Sequence, residues 1–269
     1  MPNLEPKLAI RNALQAFTHR PLAQSALNLL ETLGYQSDKR LALTPNNTAQ
    51  FRAEFDPGQQ LDLKNARTDE WRSVDFLFQI SDDDMRGALS GQGQMFHNRQ
   101  VDQTLINSYL FFAIELSGEH YTRGSLAGIT RAVNKIFPMP VMLIFKHGGS
   151  LTLAIIARRM HKRAHERDVL EKVTLIKDMR LADPHRAHIE ILHDLSLPQL
   201  AQAQAVTNFV ELQRAWEKAL DTSELNKKFY REVADWYFWA SSAAKFPPQA
   251  ESQMSVIRLI TRLIFVWFI

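Results

Sequence analysis

The chain has 269 residues, of which 45% are hydrophobic and 23% charged, and it carries a formal net charge of +3. That composition excludes a disordered chain and supplies apolar material for one large domain or two modest ones. Cysteine is absent, which excludes disulfides and thiolate metal sites and suits the cytoplasm, and the acidic residues and short apolar runs of "MPNLEPKLAIRNAL" exclude a secretory signal.

In chain order, "LAQSALNLLETLGY" (Leu22 to Tyr35) has apolar residues at helical spacing, with Gly34 as its stop signal. "RLALTP" and "AQFRAEF" alternate over short runs and predict strands or a hairpin, and "PGQQLDLKNARTDEW" reads as loop. "SVDFLFQI" predicts a buried strand, followed by an acidic turn of Asp82, Asp83 and Asp84 that reads as solvated. The glycines and amides of "RGALSGQGQMFHNRQ" predict a surface loop. "SYLFFAIEL" (Ser108 to Leu116) is nearly continuously apolar, the mark of a buried strand. A helix is predicted over Thr122 to Phe137 with Thr122 as N-cap, then a strand in "PVMLIFKH", a tight "GGS" connection and a returning strand in "LTLAIIARR". Strand, crossover helix, strand and hairpin make an α/β pattern in which a parallel pair fits.

From about Leu195 onward the chain reads as helix: "QLAQAQAVTNFVELQRAWEKAL", then "SELNKKFYREVADWYFWASSA", then a final run set apart by Pro247 and Pro248. The expected division is an α/β part over 1–195 and a helical connector over 196–269. The last stretch, "SVIRLITRLIFVWFI", is interrupted by Arg258 and Arg262 and is shorter than the ~20 apolar residues a bilayer requires, so no membrane is expected. It fits a buried terminal helix, or an element whose packing partner lies downstream in a longer protein.

Several stretches together resemble a known family. "SELNKKFYREVADWYFWA", "KFP" and "SVIRLITRLIFVWFI", with "RRMHKR", "DVLEKVTLIKDM" and "PHRAHIEILHDLSL" upstream, are similar to the N-terminal region of large bacterial adenine-specific DNA methyltransferases. These are restriction-modification proteins of the type IIG kind and their relatives in phage defence. The similarity runs from about Ser108 onward, and it implies a fragment that leads into a downstream methyltransferase domain, which would be a partner along with DNA. The glycine-rich turn for S-adenosylmethionine and the Asn/Asp-Pro-Pro-aromatic motif for an extruded base are both missing; the one Pro-Pro follows Phe246. S-adenosylmethionine is therefore expected in the downstream domain alone, and this chain is not expected to methylate DNA.

Type IIG proteins often carry a nuclease domain ahead of the methyltransferase, and the layout here resembles a restriction-endonuclease-like core. That core sets an acid on one strand and Glu/Asp-x-Lys on the next, the carboxylates holding Mg2+ and the lysine serving the attacking water. Asp75 and Glu115 are the matching candidates for catalysis and metal binding, and Glu31 falls on the first helix, where some members carry an extra acid. The position two after Glu115 is Ser117 rather than lysine; Lys146 on the following strand is the candidate replacement. The bland alternative makes both acids solvated carboxylates at a strand end and a turn.

Between Arg158 and Arg180 eight basic residues face four acids. Arg158, Arg159, Lys162, Arg163 and Arg167 are the candidate phosphate contacts, against the alternative of an ordinary ion-paired surface. His161 and His165 have helical metal spacing, but Arg163 between them repels a cation, while His185, His188 and His193 read as capping or surface residues. Phe229, Val233, Trp236 and Ala240 share one helical face and predict packing. Three functions remain in play: a DNA-contacting accessory module, a Mg2+-dependent DNA endonuclease, and a protein-interaction scaffold.

Overall fold

The computed structural model describes residues 4–85, 100–105, 107–157, 172–204, 206–246 and 252–268. Two compact units divide the chain, Met1–Glu217 and Lys218–Ile269. The first is α/β. Its helices α1 (Leu4–Ala16), α2 (Leu22–Thr32), α3 (Thr48–Phe55) and the short α4 (Leu63–Ala66) precede strands β1 (Trp71–Ser81) and β2 (Ser108–Leu116). Helix α5 (Arg123–Lys135) leads to β3 (Val141–His147), β4 (Ser150–Ala157) and β5 (Lys172–Arg180). Helices α6 (Arg186–Asp194), α7 (Leu197–Gln204) and α8 (Phe209–Ala219) follow. The expected break between 195 and 196 falls between α6 and α7, inside the first unit.

The five strands form one sheet in the order β1-β2-β3-β4-β5. β2 and β3 are parallel, joined by α5; the other three pairs are antiparallel. Thr122 caps α5 by accepting from the Ser125 N–H. One face of the sheet carries a phenylalanine-rich core: Phe112 lies 5.1 Å from Phe76, 5.3 Å from Phe55 and 5.6 Å from Phe51, ring centroid to centroid. All three are edge-on contacts of the kind aromatic quadrupoles favour. On the opposite face Tyr109 and Phe111 of β2 meet Trp216 and Tyr35.

The segment "AQFRAEF" is helix α3 and not the predicted strand. Asn47 accepts from the Gln50 N–H at 2.9 Å, and Phe51 and Phe55, four residues apart, are both buried on one face. An N-cap with an i, i+4 aromatic pair outweighs the short alternation. "RLALTP" forms no regular strand, yet it follows the outer edge of β1. Gln79 N–H donates to Lys39 O and Val74 N–H to Asn46 O, each at 3.0 Å. That edge is therefore covered. The predicted single helix over "QLAQAQAVTNFVELQRAWEKAL" is two. Asn208 accepts from Glu211 N–H at 3.0 Å while the Glu211 carboxylate accepts from Thr207 N–H at 2.8 Å, a reciprocal cap that starts α8 afresh.

Tyr35, just past Gly34, ties the C-terminal helices of this unit to the sheet. Gly34 has φ +86°, which favours glycine, and a Cβ there would also crowd Pro198 Cδ at 3.0 Å. The Tyr35 hydroxyl donates to Leu195 O and accepts from Trp216 Nε1 at 2.8 Å. Burial pushes its phenol above the ordinary range, and the Trp216 bond offsets this only in part. Tyr35→Phe should leave Trp216 N–H and Leu195 C=O unpaired and cost about 1–3 kcal/mol in a urea titration. An unchanged midpoint would mean that water replaces the hydroxyl.

The second unit contains α9 (Thr222–Ala243) and α10 (Ser252–Phe268), which pack on each other. Val256 and Ile260, one turn apart, are buried residues of α10. Phe229 and Trp236, expected on a packed face, are exposed, as are Trp239, Phe265 and Val266. Among the described residues no helix is long and apolar enough to cross a membrane.

Candidate active site across β1, β2 and β3

Along β2 the residues Tyr109, Phe111, Ala113 and Glu115 point to one face, because strand side chains alternate. The first two are buried beneath aromatic rings; Ala113 is small, and Glu115 ends the series half-buried. The strand thus passes from aromatic to acid as it leaves the covered part of the sheet.

Asp75 of β1 is registered opposite Ala113, and Glu115 opposite Ser73. The two carboxylates are consequently diagonal neighbours on the same face, within reach of each other's charge. On the other side of β2, Glu115 is registered with Lys146 of β3, and the Lys146 Nζ lies 3.5 Å from Glu115 Oε1. All three residues singled out from the sequence as catalytic therefore share one surface, although 31 and 40 positions separate them in the chain.

Asp75 is held from a fourth element. Asn46 Nδ2 donates to Asp75 Oδ1 at 3.2 Å. Burial raises the Asp75 carboxyl above its ordinary range; Asn46 lowers it, and the negative charge of Glu115 raises it again. A carboxylate pushed up by burial and a like charge is one that a cation relieves. No three His, Asp or Glu side chains converge as a closed metal cage among the described residues. A two-carboxylate site still suits Mg2+, which keeps several waters and takes further oxygens from phosphate.

Other candidates lie elsewhere. Glu31 is exposed and pairs with Arg40 at 3.2 Å. Asp84 is not solvated as expected. Its Oδ2 meets Lys39 Nζ at 2.7 Å with both side chains nearly buried, while Asp82 Oδ1 accepts from Phe209 N–H at 2.6 Å. Arg158, Arg159, Lys162, Arg163 and Arg167, with His161 and His165, fall outside the described residues. The remainder of that basic stretch forms β5, where Lys172 and Arg180 are exposed and Lys177 pairs with Asp178. His185 caps α6, its Nδ1 accepting from Ala187 N–H at 3.1 Å.

Sequence reading missed Asn46 and Lys39. The Asn46–Asn47 pair carried a helix-start signal, but nothing local indicates that Asn46 reaches Asp75. No family model, no curated protein and no solved structure matches the chain.

Proposed function

We propose that the first unit is a Mg2+-dependent phosphodiester hydrolase acting on DNA, built on a restriction-endonuclease-like arrangement. The observation that supports this most is Asp75, Glu115 and Lys146 lying on one face of three neighbouring strands. Asp75 and Glu115 would hold the ion, which when bound polarises a phosphoryl oxygen and lowers the pKa of a water. Lys146 supplies the positive charge that Ser117 does not. Its ammonium, close to Glu115 and partly open to solvent, can hydrogen-bond the attacking water and offset the charge gathering on phosphate.

The replacement of lysine by Ser117 favours a second reading, in which the same face binds DNA without cutting it. A DNA-contacting module beside a methyltransferase domain fits that reading. The exposed Trp236, Trp239, Phe265 and Val266 of the second unit are apolar surface of the kind protein partners cover.

Titration with Mg2+ and Mn2+ by calorimetry, with supercoiled plasmid incubated in parallel, separates the two. The hydrolase predicts binding heat and nicking that requires the divalent ion. DNA binding that falls steeply with salt, without nicking and without binding heat, would leave only the binding module. Absence of both would remove DNA from the account.

A further inference from the structure

Asn46 makes a contact that the fold around it does not require. It is exposed, between Pro45 and the N-cap residue Asn47. The backbone here is already held on both sides: Asn46 O accepts from Val74 N–H at 3.0 Å, and the Asn47 side chain accepts from Gln50 N–H at 2.9 Å. An exposed amide normally spends its hydrogen bonds on water. This one is directed at a half-buried carboxylate, donating Nδ2 to Asp75 Oδ1 at 3.2 Å.

The surroundings of Asp75 explain what that contact can do. Its registered neighbour across the ladder is Ala113, which has no polar side chain, and its diagonal neighbour is Glu115, of the same charge. Without a donor the carboxylate would be free to rotate away from Glu115. A lysine or arginine in place of Asn46 would hold it but repel a divalent ion, and an aspartate would add a third negative charge. A neutral amide donor holds the group and leaves its charge for the metal. Partners that hydrogen-bond ligating carboxylates set their orientation in this way.

We propose that Asn46 is a positioning residue of the site, holding the Asp75 carboxylate by one oxygen and leaving the second for a divalent cation shared with Glu115. This rests on the hydrolase reading, and the loop before α3 thereby belongs to the active site.

The test is Mn2+ and Mg2+ binding by calorimetry to the full chain and its Asn46 variants, with thermal melting in the absence of metal as the structural readout. Asn46→Ala should weaken binding by about 10–100-fold, the usual effect of losing such a partner, without shifting the melt. Asn46→Ser, which keeps a shorter donor, should recover part of the loss, and Asn46→Lys should remove binding altogether. Equal affinity in wild type and Asn46→Ala would overturn the assignment while leaving the two-carboxylate site standing. A loss of affinity matched by a lowered melt in both Asn46→Ala and Asn46→Ser would overturn it too, by making the role structural. Wild-type protein that binds neither ion would sink the site itself, and Asn46 with it.

Discussion

On the proposed hydrolase reading, Glu115→Gln should remove divalent-ion binding and reduce DNA nicking by more than about 100-fold, beyond the 10–100-fold that loss of an outer hydrogen-bond partner causes. Glutamine keeps the shape of the side chain and discards its charge, so the change falls on the site and not on packing. The ion pair with Lys146 is partly exposed, its side chains retaining 21% and 29% accessibility, and such pairs contribute about 0–1 kcal/mol. Stability should therefore move by less than about 1 kcal/mol. The same substitution takes away the like charge that helps raise the Asp75 carboxyl, so the Asp75 titration midpoint, read by carbon NMR, should fall. On the hydrolase reading, the proton would compete with the ion for a carboxylate that burial and Glu115 push up. Metal affinity should accordingly weaken as pH drops through that raised midpoint, at a higher pH than for a solvated aspartate. Nicking that survives Glu115→Gln unchanged would refute the assignment of Glu115.

The second large effect belongs to the buried pair of Lys39 and Asp84. Asp84 accepts from Lys39 Nζ at 2.7 Å, from Ser81 N–H at 2.8 Å and from Ser81 Oγ at 2.6 Å, and Ser37 Oγ donates to its other oxygen at 3.0 Å. Burial pushes its carboxyl up, but the bonds from Lys39 and Ser81 more than reverse this and hold it below the usual range. Asp84→Ala strands the Lys39 ammonium at 10% side-chain accessibility, and removing one partner of a buried pair costs about 3–5 kcal/mol. Urea unfolding followed by tryptophan fluorescence measures that loss. Replacing both partners, Lys39→Met with Asp84→Leu, should recover most of it, because neither charge is then left buried. The pH sign follows from the lowered carboxyl. Its contribution is complete above the unfolded midpoint of about 3.9 and is lost as pH falls through the lower folded value. A loss under about 1 kcal/mol for Asp84→Ala would mean that water reaches Lys39.

Much of the fold was legible because its signals are local. "SYLFFAIEL" and "PVMLIFKH" are short, nearly continuous apolar runs of the length and composition of buried strands, and β2 and β3 occupy those stretches. Thr122 at the head of an amphipathic run announced α5, and a helix between two such strands makes the parallel pair the natural outcome. Where the signal was short, competing local chemistry won. The Asn47 cap and the Phe51–Phe55 spacing made a helix of a segment whose alternation suggested a strand, and the cap at Asn208 divided a run that periodicity alone joined.

The sequence alone set out the candidate residues: an acid at Asp75, an acid at Glu115 without a lysine two places on, and a lysine on the next strand. What only the tertiary structure decided is their company. Lys146 reaches Glu115 through the register of two parallel strands, Asn46 reaches Asp75 because the loop before α3 runs along the edge of β1, and Lys39 finds Asp84 from 45 positions away. Sheet register and the burial of charge depend on contacts between distant segments, so no local window contains them.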